Sequence, residues 1–117
     1  MVVKRGEIRV VDFEPSRGSE AAKRGPAIVI SNDAANTTAT RLGRGVVTVV
    51  PLTSNTEKVF AFQVLVPSGS SGLKCDSKAQ AEQLRAVDVT TVGERVGMTP
   101  PDVLRSLEAA IRLHLAL

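Results

Sequence analysis

The run VVTVVPLT, residues 46–53, decides how this chain folds. Six of its eight residues are β-branched, a choice that favours pleated over helical backbone. Pro51 interrupts the run and brings no N–H to a ladder, so the spacing predicts a strand with an edge or a bulge at that point. Upstream, PAIVIS at 26–31 is a second β-branched run, opened by Pro26 at a tolerated first position. EIRVVDF at 7–13 has close to period-two alternation, with an irregularity at Val10–Val11. Downstream, KVFAFQVLV at 58–66 puts Phe60, Phe62, Val64 and Val66 on one face, so both phenylalanines are expected in the core. Residues 73–86 read as one or two short strands.

Between the strands lie polar segments. Residues 14–25, EPSRGSEAAKRG, have no apolar period, and a connection of that length is usually functional or mobile. Residues 32–45 read as a loop with at most one helical turn over Asp33–Thr40, and PSGSSG at 67–72 reads as a loop. Thr99-Pro100-Pro101-Asp102 changes the pattern: an N-cap threonine, proline at the first helical position and an acid in the first turn. Leu104, Leu107, Ile111 and Leu115 then mark one stripe of a terminal helix. Five or so strands plus this helix predict a mainly β small barrel with a packed C-terminal helix, a single domain over 1–117.

Composition narrows the chemistry. One Cys excludes an internal disulfide, and one His excludes paired-imidazole catalysis and His-rich metal sites. No apolar run reaches the ~18–20 residues that span a bilayer, and MVVKRGE has no signal-peptide core, so a cytoplasmic protein is expected. The net charge is +3, and all of it lies in the first half: residues 1–58 carry nine Lys/Arg against six acids, the rest six of each. That asymmetry leans toward an anionic partner, although such a surplus is also common in proteins without one.

Few groups remain as candidates. Cys75 reads as a small semi-buried residue, His114 as facing either the helix's partner or solvent, and Arg41-Leu42-Gly43-Arg44-Gly45 as a basic loop. The loop 17–25 offers Arg17, Ser19, Glu20, Lys23 and Arg24 between Gly18 and Gly25, where backbone N–H groups can approach a ligand. It reads either as a phosphate-binding loop or as a solvated surface loop. Thr53 and Ser54 end the Pro-bent strand, where side chains often reach a cleft.

KRGEI at 4–8, VDF-x-P at 11–15, GSE at 18–20 and PAIVISND at 26–33 resemble the N-terminal block of the MazF/PemK toxin family. VTVVPLTSN at 47–55 with FQV at 62–64, and AQAEQLRAV at 79–87, resemble its second and third blocks in order and spacing. The resemblance implies SH3-like (CcdB/PemK-like) barrels with short connecting helices and a C-terminal helix, paired as a homodimer. It implies a metal-independent, cofactor-free endoribonuclease that cuts single-stranded RNA, mainly mRNA, at a specific sequence and is held by a cognate MazE-like antitoxin. RNA supplies its own nucleophile: the ribose 2′-OH attacks the adjacent phosphate and leaves a 2′,3′-cyclic phosphate and a 5′-OH. The resemblance assigns Thr53 to the scissile phosphate. It assigns Gly18, Ser19 and Glu20, with Lys23, Ser31 and Ser54, to RNA contact, and Gln83 and Arg85 to the groove edge.

One position departs from the family pattern. The family has its catalytic arginine directly before the proline of the second strand, whereas here Gly25 precedes Pro26 and the arginine is Arg24. In extended chain a one-residue shift turns a side chain to the other face. Three readings are open: Arg24 reaches the site, Lys23 or another cation substitutes, or Gly25 leaves the chain inactive. The alternative from another class is a toxin on the same fold that inhibits a topoisomerase, as CcdB does.

Overall fold

Strand β1 (Glu7–Asp12) pairs antiparallel with β2 (Arg24–Val29), from Ile8 opposite Ile28 to Asp12 opposite Arg24. In the computed structural model, residues 1–13 and 24–117 are described. On its other side β1 meets β7 (Val92–Met98), where the register slips on both sides of Arg9 and leaves Val10 without a partner on β7. The irregularity expected at Val10–Val11 is this bulge. Strand β2 begins at Arg24, two residues before the proline taken as its start, because the Arg24–Asp12 and Gly25–Val11 pairs extend the ladder.

Strand β3 (Val46–Thr53) spans the expected residues. It lies beside β2 along Ala27–Val29 and takes two partners on its other side. Val46–Val49 pair with β6 (Arg85–Asp88), and Leu52–Thr53 pair with β5 (Ser77–Gln80). Pro51 falls at the changeover, where that side of β3 has no strand partner and a missing N–H costs no ladder bond. Strand β4 (Gln63–Val66) closes the order β4-β5-β3-β2-β1-β7, with β6 on β3.

Alternation along the strands divides the core. Ala27 and Val29 join Val11, Val47, Val49, Val87 and Val92 in one cluster. Ile28 joins Ile8, Val50, Leu52, Val66, Ala79 and Leu107 in the other, beneath the terminal helix α3 (Pro101–Leu115). Full burial of each such side chain contributes ~1.5–3 kcal/mol. The result is the mainly β class expected: among the described residues, seven antiparallel strands with connecting helices and a C-terminal helix. Among the described residues no helix is long and apolar enough to cross a membrane.

Several local expectations are corrected. The segment after Asn32 is a full helix, α1 (Asp33–Leu42), capped when the Asn32 side chain accepts from the Ala35 N–H and closed by Gly43. Only Asn36 and Ala39 of α1 are buried, so it carries no apolar stripe that periodicity would reveal. Ser68–Ser71 form a single turn, α2. Strand β4 starts only at Gln63, because the Gln63 N–H donates to the Phe60 carbonyl and the Gln63 Oε1 accepts from the Phe60 N–H. That turn breaks the alternation. Phe60 is therefore 43% exposed, outside both clusters, and stacks parallel on Phe62 with centroids 5.3 Å apart. The N-cap of α3 is Pro100 rather than Thr99, whose N–H donates to the Gly6 carbonyl. Strand β7 went unread: of its residues only Val92 is buried, and two glycines and two charges fill a half-exposed edge.

Candidate functional site

Where β2 and β3 part, a cleft of about 470 Å³ opens. The register that sets Ala27 against Pro51, carried two residues on, brings Gly25 against Thr53. Both line the cleft, together with Arg24 and Ser54, so four of the residues singled out in the sequence meet in space. The third wall is the loop between α2 and β5, which contributes Lys74 and Cys75, with Ser77 at the start of β5.

Thr53 is held by a short turn, its Oγ1 accepting the Asn55 N–H at 3.2 Å. The hydroxyl proton is thereby left to donate outward. Gly25 adds no side chain, and a Cβ built there meets nothing within 4 Å. Arg24 is exposed and alternates to the face opposite that of Gly25, with Asp12 across the ladder.

The wall bearing Lys74 is fastened at both ends. Gly72 lies against β7 so closely that a Cβ would sit 2.8 Å from the Val96 carbonyl oxygen, and a Cβ on Gly97 would collide with the Ser71 carbonyl oxygen at 1.7 Å. Leu73 packs against the cluster under α3. Beyond the tip, the Asp76 Oδ1 accepts from the Ser68 N–H at 2.9 Å and the Ser68 hydroxyl at 3.1 Å. Those two bonds, backbone first, hold the Asp76 carboxyl below its ordinary range.

Among the described residues the cleft thus presents three hydroxyls, one thiol and two cations, and no carboxylate. Such a set suits an anionic oxygen ligand: hydroxyls donate to it and cations balance its charge. A larger groove of about 650 Å³ beside α1 is lined mainly by alanines, Thr38, Leu42 and Val46, with Arg44 its only charged residue.

Other sequence candidates lie elsewhere. Ser31 sits at the entry of α1, its hydroxyl bonded to Asn36 and accepting the Thr48 N–H at 3.0 Å, and does not line the cleft. Gln83 is exposed on the 3₁₀ turn Ala81–Gln83. Arg85 on β6 stacks over the Phe13 ring at 5.1 Å and donates to its carbonyl, at the point where the chain leaves β1. Gly18, Ser19, Glu20 and Lys23 lie outside the described residues. Cys75 is exposed rather than semi-buried, because it sits at the tip of the fastened loop. His114 stays on the surface of α3, 6.3 Å from Phe62. Lys74, Cys75 and Ser77 were missed as site residues. Only an apolar Leu73 inside a polar run hinted that this loop turns back onto the fold.

Residues 4–115 match the family described as PemK-like, MazF-like toxin of type II toxin-antitoxin system. The chain belongs to this toxin family. The toxin is 52% identical over 116 residues to endoribonuclease MazF9 of Mycobacterium tuberculosis, covering 99% of this chain and 98% of that protein. Its fold matches a crystal structure of MazF from Deinococcus radiodurans with a TM-score of 0.77 at 24% identity, over 100% of this chain and 99% of that one. It also matches an endoribonuclease in complex with its cognate antitoxin from a mycobacterial species, with a TM-score of 0.74 at 19% identity over 98% and 96% of the two chains. In the toxin, therefore, the cleft between β2 and β3 belongs to a fold it shares with MazF structures.

Proposed function

We propose that this toxin is an endoribonuclease that cuts single-stranded RNA, mainly mRNA, at a specific sequence and without a metal ion. It works as one domain over residues 1–117, as a homodimer in the cytoplasm, and a cognate MazE-like antitoxin holds it inactive. One observation carries the reading: a cleft that gathers hydroxyls and cations, in a chain 52% identical to an endoribonuclease over nearly its whole length.

The chemistry asks little of the protein's side chains as nucleophiles. The 2′-oxygen of the ribose forms a bond to phosphorus as the bond from phosphorus to the 5′-oxygen breaks. The 2′-oxygen loses a proton and the 5′-oxygen gains one, so the products are a 2′,3′-cyclic phosphate and a 5′-OH. The protein must align the attack and stabilise negative charge on the phosphate oxygens. The Thr53 hydroxyl, its lone pair occupied by the Asn55 N–H, donates to a non-bridging oxygen. Ser54 extends the donor set, and Arg24 neutralises the RNA backbone at the rim. On the family resemblance Gly18, Ser19, Glu20 and Lys23 contact the RNA, as do Gln83 and Arg85. The antitoxin offers an acidic segment to the same cations.

The test is incubation with long mixed-sequence RNA in EDTA, with the ends analysed. Cleavage at a short fixed motif with cyclic-phosphate ends is expected. Equal cutting of single-stranded DNA would refute the 2′-OH route, and inhibition of gyrase supercoiling without any RNA cleavage would replace the reading by the CcdB-like one.

A further inference from the structure

We propose that Lys74 is a catalytic residue of this cleft, supplying at the scissile phosphate the positive charge that position 25 lacks. The inference rests on the endoribonuclease reading and deepens it. Gly25 leaves open space beside Thr53, with nothing within 4 Å of where a Cβ would be. The neighbouring cation, Arg24, does not fill that space by default. It alternates to the face opposite that of Gly25, shared with Pro26, stands across from Asp12, and lines both this cleft and a second cavity with Asp12, Thr90 and Thr91.

Lys74 approaches from the facing wall. It is exposed and lines the same cleft as Gly25 and Thr53, and among the described residues it makes no ion pair. Its loop is not a free tether. The close Gly72–Gly97 approach fixes one side, Leu73 is packed into the core, and the Asp76–Ser68 bonds fix the other. A short tip between two anchors presents one flexible stem ending in a compact ammonium, a point charge able to follow a phosphate oxygen. The nearest acid in sequence, Asp76, already accepts two bonds from Ser68. Among the described residues no carboxylate on the lining competes with a ligand for the ammonium. Lys74 stabilises charge and is assigned no proton transfer.

The test compares wild type, Lys74→Gln, Lys74→Arg, Gly25→Arg and the double variant Gly25→Arg/Lys74→Gln. Single-turnover cleavage of mixed-sequence single-stranded RNA is measured in EDTA, with thermal melting as the control for folding. Loss of Lys74 is expected to slow cleavage by ~10²–10³-fold at unchanged melting temperature, the usual cost of removing one positioned stabiliser. Lys74→Arg is expected to stay within about tenfold of wild type, since it keeps the charge. The double variant is expected to regain most of the rate, because arginine at 25 fits the open space. Wild-type rates from Lys74→Gln, or a double variant as slow as Lys74→Gln, would overturn the proposal. An inert wild type beside an active Gly25→Arg form would also overturn it, while leaving the endoribonuclease reading in place. If neither of those two cuts RNA, both fall.

Discussion

Thr53 turns the chain beyond β3 by accepting the Asn55 N–H on its hydroxyl, and on the proposed function the hydroxyl proton is donated to the RNA phosphate. Thr53→Val preserves the shape and removes both bonds. RNA cleavage is expected to fall about 10²-fold, with a melting temperature close to wild type because the side chain is only half-buried. Asp76 is a residue whose charge matters to the fold rather than to the ligand. Its carboxyl is held below the ordinary range by the Ser68 N–H and hydroxyl. A depressed folded-state pKa contributes stability above the unfolded value and loses it as pH falls through the folded one. Wild type should therefore be more stable than Asp76→Asn at neutral pH. The gap should close as pH drops through and below the carboxylate range, which urea melts across that window would measure.

At the scale of elements, the loop between α2 and β5 depends on β7. Gly97 lies where a Cβ would meet the Ser71 carbonyl oxygen at 1.7 Å, so Gly97→Ala must push the two backbones apart. A cost of about 1–3 kcal/mol is expected from such overpacking, read by chemical denaturation, together with slower RNA cleavage as Lys74 moves. The same element shows where sequence reading stops. Strand β3 was legible to the residue because β-branched runs advertise themselves, and Pro51 marked the changeover of partners. Strand β7 was illegible because an edge strand need bury little. Helix α1 was illegible because it packs through Asn36 and Ala39 instead of an apolar stripe. Of the cleft, Arg24, Gly25, Thr53 and Ser54 were legible in a Gly-bounded basic loop and the end of a Pro-bent strand, to which the family-like blocks added roles. Lys74 was not, since a loop's return onto a distant strand leaves no local period.

The whole molecule leaves apolar surface uncovered on α3 and on the strand it packs against. Leu113 is 59% exposed, Leu115 47% and Leu65 45%, apolar surface of the kind that a partner covers. Leu115 belongs to the stripe expected to face the core, and its exposure suits a second copy of the chain. Sedimentation equilibrium should return about twice the 12.4 kDa chain mass, and Leu113→Lys with Leu115→Lys should shift it toward the monomer.

The partner change along β3 also bears on when the toxin becomes dangerous to the cell that makes it. The cleft draws on β2, the end of β3 and the loop before β5, and β3 cannot take its second partner until Ser77–Gln80 exist. A chain still being translated has Arg24 and Thr53 outside the ribosome long before the wall that completes the cleft. Pairings this distant in sequence also form slowly, on the order of milliseconds to seconds in β-rich domains. On the proposed function, the chain therefore cannot cut RNA until that wall is in place, which leaves an interval for an antitoxin to meet it.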